Sequence, residues 1–348
     1  MHVLVIGGTR FVGPLLVHRL LAAGHQVTLF NRGTLPDAFG ARIERLRGDR
    51  TTADLSRLMQ NRHFDAAVDF AAYRWEDTRG AVDALGGRVG HYVFISTGQV
   101  YLVREGAPRP SREVDYAGPV MPRPTDADEL GNWEYGTGKR DCEDALVEAF
   151  QKSRFPATRV RIPIVNGERD HYRRLDRYLV RLVDGGPVIV PDGGTQPVRH
   201  VYAGEVARFL VEILGQKQTF GEAYNVCQRE TPSLVELLGL LRGMLGSRAR
   251  LAPVASADVL AAGLELRDVS PFSSKWMSML DPSKAEAELG FRHEPLTTSL
   301  GKIVASFLAY GYATPPDGYD QRAREIALAE RWLEERATMR PGPSMSFE

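Results

Sequence analysis

Short apolar runs alternate with amphipathic stretches along the first half of the chain. The first run, HVLVIG, is followed by residues 11–23, in which leucines recur at helical spacing until Gly24. Further strand-like runs are QVTLFN, IERLRGD, AAVDFAA, HYVFIST and ATRVRIPIV. Near-continuous apolar strands separated by helices predict a parallel sheet that is covered on both faces. The expected fold class is therefore α/β, with a doubly wound parallel sheet.

The second half of the chain has a mixed pattern from about Arg173 onward. Helical segments such as RRLDRYLVRLV and SLVELLGLLRGML alternate with short strands such as PVIVPD and EAYNV. We interpret residues 171–312 mainly as a smaller mixed α/β lobe. It follows a main domain at 1–170, to which parts of the later chain return. Residues 313–348 are expected to form a charged amphipathic helix and a disordered tail, MRPGPSMSFE.

The balance of charges disfavours two classes of partner. The formal net charge is +0 for 348 residues, so no overall field attracts nucleic acid or an anionic membrane. No run of about 18 apolar residues occurs, which disfavours a membrane span. The two cysteines, Cys142 and Cys227, lack metal-ligand spacing and are too few for a disulfide framework. We expect a cytoplasmic protein without a metal site.

The segment GGTRFVG lies between the first predicted strand and its helix. In a parallel sheet this turn receives the pyrophosphate of a dinucleotide, because the helix N-terminus presents N–H groups and partial positive charge. Gly7 permits the tight turn, and Gly13 permits close packing of the helix. The alternative is an ordinary strand-to-helix turn. The cofactor-binding residues predicted in this loop are Gly7, Thr9, Arg10, Phe11, Val12 and Gly13.

Arg10 occupies the position of the usual middle glycine, and a second arginine follows the next strand. Proteins that select NAD carry an acid at the end of that strand for the ribose 2′-hydroxyl. Here Asn31 has no charge to repel a 2′-phosphate, and Arg32 can bind one. Together with Arg10, this favours NADP(H) over NAD(H), with a solvated loop arginine as the alternative for Arg32. Asp49 either accepts from the adenine amino group or caps the next helix, a role that the threonines after it serve equally well.

The stretch YGTGK places Tyr135 and Lys139 four residues apart, on one face of a predicted helix. An ammonium group close to a phenol favours the phenolate and lowers its pKa, so this pair can move a proton while a nicotinamide moves a hydride. Upstream, the strand in HYVFIST ends at Thr97, whose hydroxyl is expected to lie where a substrate oxygen binds. The alternative for Tyr135 is a surface aromatic residue at a helix start.

These motifs resemble, in order, those of the extended short-chain dehydrogenases/reductases, the NAD(P)-dependent epimerase/dehydratase group. The resemblance runs from His2 to about Tyr312 and includes GGTRFVG, VDFAA, STGQVY, YGTGK, RIPIVNGERD, PVRHVYAGEVA, EAYNV and DPSKAEAELGF. It implies a Rossmann domain at 1–170 that binds the dinucleotide and a lobe at 171–312 that mainly binds the substrate. It also implies a homodimer.

The resemblance implies roles for individual residues. The residues that match the family's catalytic positions are Thr97, Tyr135 and Lys139. The cofactor contacts that it adds are Ala71 and Ala72 of the fourth-strand motif, Ile162, and the Tyr135–Lys139 pair itself. The substrate contacts that it implies are Thr97, Gln99, Asn166 and Arg199, of which the arginine contacts a substrate phosphate.

Three departures from the family pattern narrow the expected reaction. The sugar-nucleotide 4,6-dehydratases carry an acid pair after the catalytic threonine, but Gly98 and Gln99 stand here and neither titrates. The proline-rich connection at 106–133 is either a lid or a surface insertion that docks on its own chain. Arg10 also occurs in atypical branches of the family, including chloroplast stem-loop RNA-binding proteins.

The expected function is that of an NADP(H)-using oxidoreductase or epimerase. Its substrate is a secondary alcohol or ketone, with a nucleotide-linked sugar favoured and 4,6-dehydration disfavoured. One alternative is a ketoreductase that acts on a metabolite without a nucleotide. Another is a non-catalytic protein of the same fold that senses nucleotides or binds RNA. The neutral charge and the Tyr135–Lys139 pair disfavour that last alternative.

Overall fold

The computed structural model describes residues 1–311 and 314–338. The chain forms two compact units, and each is built from three segments. Unit 1 contains Met1–Gly167, Arg199–Arg229 and Trp276–Glu294, and unit 2 contains Glu168–Val198, Glu230–Lys275 and the described residues from Pro295 onward. After Glu168 the chain therefore returns to unit 1 twice, at Arg199–Arg229 and at Trp276–Glu294. The C-terminal segment that starts at Pro295 belongs to unit 2.

The strands are short, and most of them join one sheet. They are β1 (His2–Ile6), β2 (Gln26–Asn31), β3 (Glu44–Arg47), β4 (Ala66–Asp69), β5 (Tyr92–Thr97), β6 (Ala157–Ile162), β7 (Val165–Asn166), β8 (Val188–Ile189), β9 (Val201–Tyr202), β10 (Ala223–Asn225) and β11 (Leu251–Ala252). Seven strands form the main sheet of unit 1 in the order β10-β6-β5-β4-β1-β2-β3. Every neighbouring pair in it is parallel. The predicted doubly wound parallel sheet is confirmed.

Helices follow most of the strands. They are α1 (Val12–Ala22), α2 (Asp54–Met59), α3 (Trp75–Leu85), α4 (Gln99–Leu102), α5 (Ala127–Ser153), α6 (Arg174–Val183), α7 (Ala203–Ile213), α8 (Leu234–Met244), α9 (Ser256–Ala261), α10 (Leu266–Val269), α11 (Ser283–Leu289), α12 (Leu296–Tyr310) and α13 (Arg322–Thr338). No helix in the described ranges is both long and apolar enough to cross a membrane.

Both faces of the main sheet are buried, as β1 illustrates. Val3 and Val5 lie in one apolar cluster with α1 and α7. Leu4 and Ile6 point to the other face, into a cluster with residues of α2, α3 and α5. Successive side chains of a strand point to opposite faces, so a strand buried on both faces needs a continuous apolar run. This is the pattern of HVLVIG.

Two strand predictions from the sequence were wrong in their boundaries or placement. The run ATRVRIPIV is not one strand: β6 ends at Ile162, and β7 pairs with β9 in a separate ribbon. Pro163 stands at the break, and a proline has no N–H to continue the sheet. The EAYNV run, read as part of the smaller lobe, contains β10, which extends the main sheet beside β6.

Unit 2 has its own small core. Strands β8 and β11 pair in parallel, and the adjacent apolar cluster includes Ile189, Ala252, Leu328 and Ala329. The predicted C-terminal helix is α13. The predicted disordered tail, 339–348, lies outside the described residues, as do positions 312 and 313 at the expected lobe boundary.

Candidate active site

The glycines of the segment between β1 and α1 stand where a side chain would be strained or too close to its neighbours. Gly7 and Gly8 both have positive φ, +87° and +74°. A Cβ atom on Gly13 would lie 2.4 Å from Cα of Gly8, so only glycine allows the helix to approach the turn. A Cβ atom on Gly7 would lie 3.3 Å from Cβ of Ala71, which places the loop after β4 directly beside the turn. Ala72, the next residue of that loop, is buried.

The remaining loop residues differ in exposure. Phe11 precedes α1 with φ +48° and ψ −99°, a conformation that is costly for a residue with a side chain and that is often retained at ligand loops. Its ring packs beside Gly167, where a Cβ atom would lie 3.1 Å from Cε2 of Phe11. No side chain caps the N-terminus of α1, which begins with buried Val12. Thr9 is half-buried, and Arg10 is exposed.

At the end of β2, the side chain of Asn31 has one satisfied and one unsatisfied end. Its Oδ1 accepts from the N–H of Gly33 at 2.9 Å and from the guanidinium of Arg47. Its Nδ2 is buried and has no hydrogen-bond partner among the described residues. Arg10 and Arg32 are exposed, and among residues 1–311 and 314–338 their side chains form no hydrogen bond or ion pair, although the Arg32 charge contributes to the lowered pKa of Asp49. Arg47 is not among the residues that the sequence predicted for the site.

Asp49 forms a local turn after β3. Its Oδ1 accepts from the backbone N–H of Thr51 at 2.9 Å and from the Thr51 hydroxyl at 2.7 Å. These hydrogen bonds, the backbone one first, hold the pKa of Asp49 below its usual value. The alternative that Asp49 caps the next helix was wrong, because Ala53 occupies the N-cap position of α2.

The YGTGK motif lies on α5, and both of its glycines lie close to neighbouring segments of the chain. A Cβ atom on Gly136 would lie 2.6 Å from Cγ1 of Val103, and one on Gly138 would lie 2.5 Å from the carbonyl oxygen of Tyr73. The glycines let α5 approach α4 and the loop after β4. Sequence reasoning used only the tyrosine and lysine of this motif, although the two glycines were the visible signal of the packing.

Tyr135 lies two turns inside α5, not at a helix start. The helix begins at Ala127, so the predicted loop at 106–133 was too long, and its last residues are helical. The ring of Tyr135 is 39% exposed, and its centroid is 6.3 Å from that of Tyr73. This exposure leaves the phenol accessible to a substrate.

Lys139 is buried beneath Tyr135 on the same helix. Its Nζ donates to the carbonyl oxygen of Ile95 at 2.8 Å and lies 4.8 Å from the ring centroid of Tyr73. Burial lowers the pKa of Lys139 to about 8, against the charges of neighbours such as Asp69, which raise it. The lysine thus ties α5 to β5, two residues before the end of that strand at Thr97.

Thr97 and Gln99 connect the end of β5 to the same helix. The Thr97 hydroxyl accepts from the N–H of Gln99 at 3.2 Å. The Gln99 amide donates to Oδ1 of Asn132 on α5 at 3.0 Å. The structure therefore brings Thr97, Tyr135 and Lys139 onto two elements that are held together by direct hydrogen bonds.

Gly98, between them, lies against the side chain of Ser278. A Cβ atom at this position would lie 2.2 Å from Oγ of Ser278, so an acid here requires Ser278 to move. This is the first of the two positions that the family resemblance matches to the acid pair of the 4,6-dehydratases.

Behind the site, Asp69 is an acceptor at the centre of a buried cluster. It accepts from Nη1 of Arg50 at 2.8 Å, from the hydroxyl of Tyr92 at 2.6 Å and from the N–H of Ala71 at 2.8 Å. The cluster thereby fixes the start of the loop that lies beside Gly7. An aspartate inside the apolar run AAVDFAA could have indicated this cluster, because an acid that is buried with a strand needs hydrogen-bond partners.

A second buried cluster joins α5 to β6. Glu143 binds the guanidinium of Arg161 through both carboxylate oxygens and accepts from Ser96 at 2.5 Å. Burial alone would raise the pKa of Glu143, but the Arg161 charge outweighs it and lowers that pKa. Arg161 also donates to the hydroxyl of Tyr101 at 2.6 Å. Sequence reasoning missed this cluster because its members are distant in the chain.

The first half of the connection at 106–126 forms hydrogen bonds with other segments of unit 1. The backbone of Ser111 pairs with the segment around Leu280, and it donates to Met279 at 2.8 Å. The Tyr116 hydroxyl donates to Asp144 of α5 at 2.7 Å. These contacts support the docked-insertion alternative for this half, and residues 122–126 are largely exposed.

The remaining predicted residues lie near the ends of β6, β7 and β9. Ile162 ends β6, and its carbonyl oxygen accepts from the N–H of Gly98 at 2.8 Å. Asn166 is buried in β7, with its amide nitrogen 2.6 Å from Nδ1 of His200. Arg199 precedes β9 and donates to the carbonyl oxygen of Leu280 at 2.7 Å. No group of three or more potential metal ligands occurs among residues 1–311 and 314–338.

Comparisons with known proteins show the family of this chain and several similar proteins. The family model of the NAD-dependent epimerase/dehydratase family matches residues 3–227. The chain is 26% identical over 238 residues to the chloroplast stem-loop binding protein of 41 kDa b of Arabidopsis thaliana, covering 64% of this chain but only 58% of that relative. It is 26% identical over 286 residues to the 2′-dehydrokanamycin reductase of Streptomyces kanamyceticus, covering 81% of this chain and 77% of the relative.

Solved structures share the fold at low sequence identity. The UDP-glucose 4-epimerase of Thermotoga maritima with UDP-glucose superposes with a TM-score of 0.69 and 18% identity, covering 89% of this chain and 99% of that one. The dTDP-glucose 4,6-dehydratase of Bacillus anthracis in complex with NAD gives a TM-score of 0.69 and 15% identity, covering 89% and 97%. A shared fold does not by itself specify the reaction.

Proposed function

The chain belongs to the NAD-dependent epimerase/dehydratase family, and from that premise we propose that it is an NADP(H)-using oxidoreductase or epimerase. Its substrate is a secondary alcohol or ketone, with a nucleotide-linked sugar as the favoured class. The observation that carries this proposal is the anchoring of the helix that carries Tyr135. Lys139 of this helix donates to Ile95 of β5, and Gln99, whose N–H donates to the Thr97 hydroxyl, donates through its side chain to Asn132 of the helix.

The residues of unit 1 fit a dinucleotide. The close contact between Gly8 and Gly13 brings the N-terminus of α1 against the turn, and among the described residues no side chain caps that N-terminus, which suits a pyrophosphate. The buried Nδ2 of Asn31 lacks an acceptor that a ribose or its phosphate supplies. The residues that would hold the cofactor are Gly7, Thr9, Arg10, Phe11, Val12, Gly13, Asn31, Arg32, Asp49, Ala71, Ala72, Tyr135, Lys139 and Ile162.

The catalytic residues divide the proton chemistry among them. When bound, the nicotinamide accepts or supplies a hydride. The exposed phenol of Tyr135 exchanges a proton with the substrate oxygen. Thr97 holds that oxygen by a hydrogen bond, and the Lys139 ammonium favours the phenolate form of the tyrosine. Gln99, Asn166 and Arg199 are proposed to bind the rest of the substrate.

Redox or epimerisation chemistry is favoured over loss of water. A 4,6-dehydration needs a side chain that titrates beside Thr97, but Gln99 does not titrate and Gly98 is pressed against Ser278. The likeness to a dehydratase structure is therefore a likeness of fold. A homodimer and a cytoplasmic location complete the proposal.

The test is a screen of nucleotide sugars and simple ketones with NADPH. A reductase consumes NADPH absorbance with its substrate, whereas an epimerase converts its substrate without net change in the cofactor, as followed by NMR. Native mass spectrometry identifies any retained cofactor and counts the subunits. A purified protein that binds neither NADPH nor NADH contradicts the proposal.

Two specific likenesses favour alternatives. The match to 2′-dehydrokanamycin reductase favours a ketoreductase acting on a metabolite without a nucleotide, and the same screen with such ketones detects it. The match to a stem-loop binding protein favours an RNA-binding protein. A gel shift with RNA that weakens steeply with salt supports this alternative. The net charge of +0 supplies no overall field that would attract RNA.

A further inference from the structure

The ends of β2 and β3 bring one asparagine and one arginine side by side. In the parallel pairing of these strands, Asn31 is in register with Arg47. The backbone supports the same register beyond the strands, because the N–H of Gly48 donates to the carbonyl oxygen of Asn31 at 3.1 Å. Arg47 therefore reaches Asn31 from a position fixed by the sheet.

The orientation of the Asn31 amide follows from the chemistry of its neighbours. Its oxygen meets the N–H of Gly33 at 2.9 Å and the guanidinium of Arg47. Both neighbours are donors, and neither an amide N–H nor a guanidinium can accept a hydrogen bond. Only the amide oxygen satisfies them, so the nitrogen must point the other way.

That nitrogen is a buried donor without a partner among residues 1–311 and 314–338. An unsatisfied buried donor is costly, and the cost is recovered when a ligand supplies an acceptor. Phosphate oxygens accept hydrogen bonds strongly because they are charged. A carboxylate at this position would instead present an acceptor, which suits a ribose hydroxyl and repels a phosphate.

The side chain of exposed Arg47 lies against the turn after β2. Gly33 has φ +75°, and a Cβ atom built on it would lie 2.9 Å from Nε of Arg47. The absence of a side chain at Gly33 leaves the space that the guanidinium occupies. Arg32 adds positive charge within this turn. The Asp49 carboxylate is nearby, because its pKa is lowered by its hydrogen bonds from Thr51 and also by the Arg32 charge.

We propose that Arg47 is a positioning residue that selects a cofactor with a 2′-phosphate, because it binds the oxygen of the Asn31 amide and leaves the amide nitrogen as the donor for that phosphate. Arg47 acts through Asn31 and does not itself bind the phosphate. This inference rests on the proposed function, since it assigns the cofactor preference to residues beyond Arg10 and Arg32.

The experiment compares two fragments of the cofactor, 2′,5′-ADP and 5′-ADP, by calorimetry. Four proteins are titrated: the parent, Arg47→Met, Asn31→Leu and the double variant. We expect the parent to prefer 2′,5′-ADP, and Arg47→Met to weaken that ligand about tenfold, as for one charge-assisted hydrogen bond, while 5′-ADP is unchanged. In the Asn31→Leu background, Arg47→Met should cause no further loss.

Two controls separate positioning from charge and from folding. Arg62→Met removes the same charge at the other end of β3, where Arg62 pairs with Glu44, and it should leave both affinities unchanged. Arg47→Lys keeps the charge and one donor to Asn31, and it should retain most of the preference for 2′,5′-ADP. Thermal unfolding of each variant confirms that the fold is intact.

Several outcomes overturn the inference. Additive losses in the double variant mean that Arg47 binds the phosphate itself. Equal weakening of both fragments by Arg47→Met means a structural role without selectivity. A parent protein that binds 5′-ADP as tightly as 2′,5′-ADP overturns the inference but leaves the proposed chemistry standing, and one that binds neither fragment overturns both.

Discussion

The two ends of the candidate cofactor site are built in opposite ways. At the catalytic end, Lys139 is buried and bound to the carbonyl oxygen of Ile95, with the Glu143–Arg161 pair behind it. At the adenosine end, Arg10 and Arg32 are exposed and carry no hydrogen bond to the described residues. Buried and bonded groups are costly to disturb, whereas exposed arginines are not. We therefore expect changes at the catalytic end to affect chemistry and stability, and changes at the adenosine end to affect affinity alone.

The largest expected effect is that of Tyr135→Phe on turnover. The change removes one hydroxyl and little volume, so fold and cofactor binding should survive. The loss of a general acid–base group should lower kcat about 10²–10⁴-fold, measured on a substrate from the screen with NADPH.

Variants of Thr97 provide the matched control. Thr97→Ser keeps the hydroxyl and should be tolerated, whereas Thr97→Val should not. If Tyr135→Phe turns over the substrate at the parent rate, the catalytic assignment is wrong.

The second effect is on stability, through the buried pair behind the catalytic helix. Glu143→Leu leaves the Arg161 guanidinium buried without its partner, and breaking such a pair costs about 3–5 kcal/mol in the free energy of unfolding. Urea denaturation measures the change.

The control for this variant is Glu148→Leu, on the same helix but exposed and paired with Lys152. It should cost less than about 1 kcal/mol. If the two variants lower the free energy of unfolding equally, then the buried Glu143–Arg161 pair is no more important for stability than an exposed ion pair on the same helix.

The sequence predicted the parts of this site that depend on local pattern. The turn from β1 to α1 follows from an apolar strand, glycines and a helix in immediate succession, and the Tyr135–Lys139 pair follows from helical spacing. The break of the predicted sixth strand at Pro163 was also local and was overlooked. The contacts that depend on which strands become neighbours could not be predicted from the sequence.

Three such features depend on pairing between distant segments. The contact between Asn31 and Arg47 exists because β2 and β3 pair in a particular register. The strand β10 joins the sheet because Ala223 pairs with Arg159, far away in the chain. The periodicity of a short segment gives its type but not its partner, so these contacts required the structure.

The third effect is a pH dependence that arises from Lys139. Burial lowers its pKa to about 8 from the ordinary value of 10.5. Between about pH 8 and 10.5 the unfolded chain binds a proton that the folded chain has released, so this lysine makes stability rise with pH across that window. The full difference is about 3 kcal/mol, at 1.36 kcal/mol for each pKa unit.

Lys139→Met should remove this contribution, so the free energy of unfolding of the parent minus that of the variant should rise from pH 7 to pH 10. The kcat/KM of the parent should also fall as pH rises through about 8, because the ammonium that favours phenolate is lost. Parallel stability curves for the two proteins would show that the buried lysine keeps an ordinary pKa.

The smallest effect belongs to the adenosine end, and it tests the comparison most directly. Arg32→Ala removes an exposed guanidinium with no described hydrogen bond, so the free energy of unfolding should change by less than about 0.5 kcal/mol. A charge-assisted contact with the 2′-phosphate is worth about 1.5–3 kcal/mol, so NADPH should bind roughly tenfold more weakly or worse while NADH binds as before. Calorimetry measures both affinities, and Arg57→Ala, which removes an exposed charge paired with Asp54, is the control. If Arg32→Ala weakens both cofactors alike, or lowers stability as Glu143→Leu does, then the two ends of the site are not separable and the preference for NADP(H) has another source.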